Sequence, residues 1–165
     1  MPVSESYPIR LARRSDARQI AILSRDLIES GLGWSWTPSR VVSSIASKSS
    51  DVIMACDEKT SQLAGFAIME FHDQYAHLNL LAVAPAFRGR GIGRRLVAWL
   101  EEVALVAGIG VVYLETPAIN QQAREFYRRL AYTEVQSVPG YYPGRRRAVR
   151  LARDLWQKEC RGNVL

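Results

Sequence analysis

A chain of 165 residues is long enough to bury an apolar core and corresponds to one domain by length. Its apolar content of 48% and charged content of 23% are ordinary for a soluble globular protein. Residues 1–11 contain no apolar run long enough for a signal peptide or a membrane helix, so we expect a cytoplasmic protein. Cys56 and Cys160 lie far apart without neighbouring metal ligands, which predicts free thiols.

The net charge of +6 comes mostly from arginine and suits a polyanion, which leaves nucleic acid, an acidic protein or a phosphorylated cofactor open. Residues 84–100 contain no acidic residue and four of the arginines, which are Arg88, Arg90, Arg94 and Arg95. Glycines interrupt this cluster, which distinguishes it from scattered surface arginines.

In the first half of the chain, hydrophobic spacing predicts a strand at residues 9–12 and then two helices. Ser15 or Asp16 can cap the first helix, which runs to about Glu29. Pro38 opens the second helix. The period then changes to that of strands, at residues 51–56, 63–71 and 77–83.

In the second half, a long helix is predicted after Gly93 and ends at Gly108. Its expected buried stripe comprises Leu96, Leu100, Val103 and Ala107. A strand follows at residues 111–115, and Asn120 can cap a last helix to about Leu130. Two final strands, at residues 132–137 and 147–151, are joined by a loop. This order predicts an α/β or α+β domain around one mixed sheet.

The segment Arg88-Gly89-Arg90-Gly91-Ile92-Gly93 lies between a strand and the long helix. Glycines here let backbone N–H groups approach a ligand closely, and a helix N-terminus adds unpaired N–H groups and partial positive charge. The turn therefore suits a phosphate, although a tight turn with surface arginines has the same sequence. It is neither a P-loop nor a good dinucleotide fingerprint, because no Gly-Lys-Ser/Thr follows and the preceding strands form a meander.

Arg88-x-x-Gly91-x-Gly93 resembles the pyrophosphate-binding motif of the GNAT acetyltransferase superfamily. As in that family, it follows a strand that ends Leu-Ala-Val-Ala-Pro, and Asn120 and Tyr127 come downstream. The chain departs from the family at residues 130–132, which read Leu-Ala-Tyr where Leu-Gly-Phe is usual. The resemblance implies a single domain over residues 1–165, with a core at about 9–152. It also implies a mixed, mostly antiparallel sheet of about seven strands with helices on both faces.

The resemblance further implies acetyl-CoA as co-substrate, and no metal. Backbone groups near Leu81 and Val83 would bind the acetyl-pantetheine arm, with the Val83 N–H as an oxyanion donor. Asn120 would bind the arm through its side chain, besides its possible role as a helix cap. The full set of implied cofactor-binding residues is Leu81, Ala82, Val83, Arg88, Gly89, Arg90, Gly91, Ile92, Gly93, Arg94 and Asn120.

Acetyl transfer to an amine needs a base for the ammonium and an acid for the departing thiolate. Tyr127 matches the family's catalytic tyrosine and is the candidate acid, although a core aromatic would fit its position too. Glu115 matches the base of bacterial ribosomal-protein alanine N-acetyltransferases and is the candidate base. Glu70, His77 and water remain alternatives for that role.

Trp34, Tyr141 and Tyr142 are candidate residues of the acceptor site. The tyrosines lie in the predicted last loop, which in protein N-terminal acetyltransferases helps cover the peptide, and an ordinary turn with exposed aromatics is equally compatible. At least one of Trp34 and Trp36 is expected to serve packing.

We therefore expect an acetyl-CoA-dependent N-acetyltransferase acting on a primary amine, either a protein N-terminal α-amine or a small molecule. An acetyltransferase for aminoacyl-tRNA and a non-enzymatic CoA-binding regulator are the alternatives. No nucleic-acid-binding motif is present, and we expect neither a nucleic-acid partner nor a membrane association. A homodimer is possible.

Overall fold

The computed structural model describes residues 6–144 and 146–157, and its elements follow the predicted order. They are β1 (Ile9–Leu11), α1 (Ala17–Leu27), α2 (Pro38–Ala46), β2 (Ser50–Cys56), β3 (Leu63–Phe71), β4 (Ala76–Val83), α3 (Ile92–Val106), β5 (Val111–Pro117), α4 (Gln121–Arg129), β6 (Thr133–Tyr142) and β7 (Arg146–Asp154). Short 3₁₀ turns precede α1 at Arg14–Asp16 and α3 at Pro85–Phe87.

The seven strands form one sheet in the order β1-β2-β3-β4-β5-β7-β6. β4 and β5 run parallel, whereas the pairs β1–β2, β2–β3, β5–β7 and β6–β7 are antiparallel. The predicted fold class is therefore confirmed. The chain also divides into two compact units, residues 1–70 with 80–100 and residues 71–79 with 101–165. The extent of a single domain over residues 1–165 stays a prediction.

Helices cover both faces of the strands in the first unit. On one face, α1 and α2 share a buried cluster with β2, β3 and β4, which includes Ile20, Val41, Met54, Phe66 and Leu80. On the other face, Gly65 of β3 lies against α3. A Cβ built on Gly65 would lie 2.9 Å from the Ala82 carbonyl oxygen and 3.3 Å from side-chain atoms of both Ile92 and Leu96. This glycine therefore permits close packing of α3 on the strands.

The buried stripe of α3 differs from the prediction at its C-terminal end. Leu96 and Leu100 are fully buried as expected, but Ala104 is the next fully buried residue and Ala107 is exposed. The helix ends at Val106, and Gly108 adopts a φ of +81° that terminates it. Ala107 therefore lies in the turn after the last helical residue.

The start of α1 also corrects the prediction, because neither Ser15 nor Asp16 caps it through a side chain. The Asp16 carboxylate instead accepts a hydrogen bond from the Arg13 backbone N–H at 2.7 Å. It also pairs with the Arg10 guanidinium at 2.8 Å. Asp16 thus fastens the preceding 3₁₀ turn to β1.

The last two strands are longer than predicted, and the connection between them is shorter. Tyr141 and Tyr142 are the final residues of β6 and do not lie in a loop. Pro139 and Gly140 are tolerated within β6 because it is an edge strand whose pairing with β7 is irregular between Val138 and Tyr142. In the sequence, this proline and glycine predict that the strand ends before them.

A buried ion pair ties together elements of the second unit. The Arg153 guanidinium of β7 donates to both carboxylate oxygens of Glu101, at 3.1 and 2.9 Å. The Tyr132 hydroxyl donates to the same carboxylate at 3.1 Å. Glu101 and Tyr132 are both buried, so removal of one partner would leave a buried charge or polar group uncompensated.

In the first unit, buried Glu29 organises the loop between α1 and α2. Its carboxylate accepts from the Ser35 hydroxyl at 2.5 Å, from the Ser35 backbone N–H at 2.8 Å and from the Trp36 backbone N–H at 3.1 Å. Trp36 is consequently buried and serves packing, as expected for at least one of the two tryptophans.

Across the described residues, no helix combines the length and the apolar character that crossing a membrane would require. Cys56 is half-buried and its thiol is free, and burial raises its pKa. Cys160 lies outside the described residues.

Candidate functional site

The glycine-rich turn has the backbone geometry of an anion cradle. Gly89 and Gly91 both adopt a φ of +77°, and no other atom lies within 4 Å of the position where either would carry a Cβ. The Arg95 N–H bonds to the Gly91 carbonyl at 3.1 Å, which opens α3. The N–H groups of residues 92–94 precede that bond and have no partner within the helix, so they are suited to bind a phosphate.

Side chains of the same segment are used largely to hold the turn. Arg88 Nε donates to the Val83 carbonyl at 3.1 Å, which ties the turn to the end of β4. Arg90 donates to the Tyr7 hydroxyl, and Arg95 donates to the Tyr7 carbonyl at 2.9 Å. Tyr7 is buried and contacts the Phe87 ring edge-on. No local pattern links Tyr7 to this turn, because Tyr7 precedes it by about eighty residues in the chain.

Backbone N–H groups at the end of β4 point alternately towards β3 and away from it. The Ala84 N–H bonds to the Ala64 carbonyl of β3 at 2.7 Å. By strand alternation, the amides of Leu81 and Val83 face away from β3. The parallel pairing with β5 covers only Ala76 with Val112 and His77 with Tyr113, so Leu81 and Val83 lie beyond its end.

In the second unit, Glu115 joins three strands. Its Oε2 lies 2.5 Å from His77 Nε2 of β4, and its Oε1 accepts from Arg150 Nε of β7 at 2.7 Å. The Glu115 side chain is only 6% exposed, against 25% for His77 and 32% for Arg150. His77, an alternative to Glu115 as the base in the sequence, is paired with Glu115 in the structure.

Two amide side chains complete this cluster. His77 Nδ1 contacts Asn79 Oδ1, so both nitrogens of the ring have a protein partner. Arg150 Nη1 donates to Gln136 Oε1 of β6 at 2.8 Å. Alternation along β4 could have placed Asn79 beside His77. Arg150 could not be found from the sequence, because its position depends on the register that sets it opposite Glu115.

The surroundings of Glu115 favour its ionised form. Burial by itself raises the pKa of this carboxyl, but the hydrogen bonds and charges of His77 and Arg150 outweigh it, so the net pKa is lowered. The neighbouring phenols respond in the opposite direction. Burial, the Glu115 charge and a hydrogen bond to that carboxylate raise the pKa of Tyr141.

Tyr127 is a buried phenol on α4. The edges of Phe126 and Tyr132 pack against it, with ring centroids 5.0 and 5.7 Å away. Burial, and secondarily Tyr142, raise its pKa well above the usual range. Its hydroxyl is therefore protonated at neutral pH and has the form that a proton donor needs.

The other predicted residues occupy both units. Asn120 caps α4, since its Oδ1 accepts from the Ala123 N–H at 3.0 Å. Trp34, in the first unit, is 40% exposed and donates from Nε1 to the Ala21 carbonyl at 3.2 Å. Tyr141, in the second unit, is 45% exposed. Glu70 belongs to the first unit and the His77–Glu115 pair to the second.

Within the part of the chain that the structure describes, no three metal-ligating side chains lie close enough together to hold an ion.

A family model described as the acetyltransferase (GNAT) family matches residues 21–132. The chain belongs to the GNAT family. The resemblance in the glycine-rich turn and the downstream residues is thereby confirmed.

Individual GNAT proteins similar to this chain differ in their named acceptors. The [ribosomal protein bS18]-alanine N-acetyltransferase of Salmonella typhimurium is 34% identical over 82 residues, which cover 50% of this chain and 55% of that protein. Blasticidin-S acetyltransferase of Streptomyces morookaense is 36% identical over 90 residues, or 54% of this chain and 65% of that protein. The matches thus span less than two thirds of either relative.

A solved structure of the same fold contains the co-substrate. NAA60 of Arabidopsis thaliana, crystallised in complex with acetyl-CoA, superposes with a TM-score of 0.80 at 16% identity. The alignment covers 91% of this chain and 99% of that one. At this level of identity the likeness establishes the fold alone.

The lowered pKa of Glu115 predicts a pH-dependent contribution to stability. A carboxyl whose folded pKa lies below its unfolded value, about 4.3, stabilises the fold above that pH and loses this effect as pH falls through the folded pKa. The wild type should therefore exceed Glu115→Gln in unfolding free energy at about pH 6 and lose that excess towards about pH 3. Urea unfolding between about pH 3 and pH 6 measures this difference in unfolding free energy. Glu102→Gln is the control, because Glu102 is exposed on α3. A difference that stays constant with pH would contradict the assignment.

Proposed function

We propose that this GNAT protein transfers an acetyl group from acetyl-CoA to a primary amine, preferentially the α-amine of a peptide. The observation that carries the proposal is the turn at Gly89 and Gly91, which opens α3 with positive φ angles and open space above the backbone. The complex of the Arabidopsis relative supports acetyl-CoA as the ligand. The bS18-alanine relative supports an α-amine as the acceptor.

The chemistry of the turn fits the diphosphate of acetyl-CoA. The first-turn N–H groups of α3 supply donors, the helix dipole favours an anion, and Arg94 adds an exposed positive charge. We assign the diphosphate to residues 88–94 and the pantetheine arm to the backbone of residues 81–83. When bound, acetyl-CoA supplies an acetyl group activated as a thioester.

Side chains of this protein would carry out the proton transfers of the reaction. The acceptor ammonium must lose a proton before its nitrogen attacks the acetyl carbon, and Glu115 would accept that proton, directly or through water. The Val83 N–H would stabilise the oxyanion. As the C–N bond forms and the C–S bond breaks, the nitrogen would lose a second proton to solvent, and Tyr127 would protonate the leaving sulfur. Tyr127 would then recover its proton from solvent, and Glu115 would release its own. Overall, an ammonium and acetyl-CoA give an amide, the free thiol of CoA and one released proton.

The preference for an α-amine follows from acid–base chemistry. An α-amine has a pKa of about 7.7–8.0 and a lysine side chain about 10.4, so deprotonating lysine at neutral pH costs roughly 3.5 kcal/mol more. Glu115 has a lowered pKa and is a modest base, which suits the easier deprotonation. A small-molecule acceptor is the second candidate, because the similar Streptomyces protein is named for acetylating blasticidin S.

Binding of acetyl-CoA should stabilise the protein against heat. At about one hundred times its dissociation constant the ligand adds about 2.7 kcal/mol to the unfolding free energy. Gly91→Ala should abolish most of the ligand-induced shift, because a Cβ would stand where the phosphate approaches. Gly108→Ala is the matched control, since Gly108 has a similar φ of +81° and equally open surroundings outside the motif. Both variants should lose about 1–2 kcal/mol of intrinsic stability, but only Gly91→Ala should lose the ligand effect. An unchanged melting temperature of the wild type at saturating acetyl-CoA would refute the proposal.

Tyr127→Phe should lower the rate of acetyl transfer by about 10²- to 10⁴-fold while leaving acetyl-CoA affinity unchanged, because it removes only the proton donor. Tyr132→Phe is the control: it removes the buried hydroxyl that bonds to Glu101, so stability should fall, whereas turnover should stay because Tyr127 is intact. Free thiol release measures turnover, and calorimetry measures binding. Full activity in Tyr127→Phe would assign Tyr127 to the core alone.

The acceptor preference can be measured with two short peptides of otherwise identical sequence. One has a free N-terminus and no lysine, and the other has a blocked N-terminus and a single lysine. The free N-terminus should be acetylated faster at neutral pH because a larger fraction of it is uncharged. Faster acetylation of the lysine peptide would exclude the α-amine assignment. If neither peptide reacts while blasticidin S does, the small-molecule alternative is correct.

A further inference from the structure

Glu115 is the proposed proton acceptor, yet both of its oxygens already have partners. Arg150 Nε bonds to Oε1 at 2.7 Å, and His77 Nε2 lies 2.5 Å from Oε2. Because the carboxylate is 6% exposed, solvent screens these contacts weakly. Arg150 is permanently charged, so Glu115 and Arg150 together are close to neutral.

This charge balance affects any amine that approaches Glu115. An isolated buried carboxylate would stabilise the ammonium form of the acceptor and raise the pKa of that amine. The nitrogen would then keep its proton, which opposes its attack on the acetyl carbon. A carboxylate already neutralised by Arg150 gives no such advantage to the ammonium. Beside the neutralised carboxylate the acceptor therefore gives up its proton more easily, and its uncharged, nucleophilic form is favoured.

We propose that Arg150 is a positioning residue that neutralises Glu115 and thereby favours the uncharged acceptor amine beside this carboxylate. The inference rests on the proposed function and assigns a role to a residue outside the motifs shared with the family. Arg150 is held in place from a second side by Gln136 Oε1, at 2.8 Å. This contact fixes the guanidinium, so its charge stays beside Oε1.

The other groups that face Glu115 do not replace Arg150. His77 approaches from β4, and its ring is in contact with Asn79. Tyr141 and Tyr142 approach from β6, and burial raises the pKa of both phenols, so they are uncharged at neutral pH. Charges on both His77 and Arg150 lower the pKa of Glu115, but only Arg150 keeps its charge at every pH of the experiment, whereas imidazole loses its charge near neutral pH.

Single-turnover acetylation of the free N-terminal peptide, at saturating peptide and acetyl-CoA, tests the proposal across pH. In Arg150→Met the acid limb of the rate should move to higher pH by about 1–3 units, the usual effect of one nearby charge. The peptide KM should not rise at neutral pH, because the uncompensated carboxylate binds ammonium better. Arg150→Lys should restore most of the wild-type profile. Arg147→Met on the same strand, where Arg147 contacts Ser137, should leave it unchanged.

A second measurement does not depend on turnover. The chain has two histidines, His72 and His77, so imidazole resonances can be assigned with a His72→Gln variant. In Arg150→Met the titration midpoint of His77 should rise, because Glu115 is no longer neutralised. The same spectra show whether the variant is folded.

The possible outcomes separate the two proposals. If the wild type acetylates no amine, the proposed function is overturned, and so is the proposal that Arg150 favours the uncharged acceptor amine. An active wild type whose Arg150→Met variant is folded but keeps its acid limb and its His77 midpoint overturns the role of Arg150 alone. A uniform rate loss at every pH would also overturn it, because it indicates a purely structural residue.

Discussion

The contact of Glu115 with His77 and Arg150 is the interaction on which the chemistry of the second unit depends. It joins side chains from β4, β5 and β7, which are distant in sequence and adjacent in the sheet. A carboxylate that is 6% exposed is tolerated there because each of its oxygens has a charged or polar partner. Without those partners, burial would favour the neutral acid, and Glu115 could not serve as the proposed base.

The same unit separates the protonation states of its acidic groups. Glu115 is held ionised by its partners, whereas Tyr127 is held protonated by burial among Phe126 and Tyr132. Environments that push two titratable groups apart in this way are typical of acid–base pairs. The two side-chain types already differ in pKa, and packing and hydrogen bonding widen that difference.

The glycine-rich turn follows a different principle, because the proposed phosphate site is formed by the backbone. Gly89 and Gly91 supply positive φ angles, and the start of α3 supplies N–H groups. Arg88 and Arg90, which are predicted ligands, and Arg95 of the same cluster form hydrogen bonds with Val83 and Tyr7. Their contribution therefore includes fixing the shape of the turn, in addition to the positive field they produce.

The sequence by itself determined the order of the elements, the Asn120 cap and the family. These features depend on local periodicity, on capping chemistry and on a short motif, which are all written in neighbouring residues. It misplaced Tyr141 and Tyr142 in a loop, since proline and glycine end most strands but are tolerated on the irregular edge strand β6. Only the tertiary structure decided that His77 is the partner of Glu115 and that Arg150 stands opposite it. Strand register brings these residues together, and register is set by long-range pairing between segments that no local pattern connects.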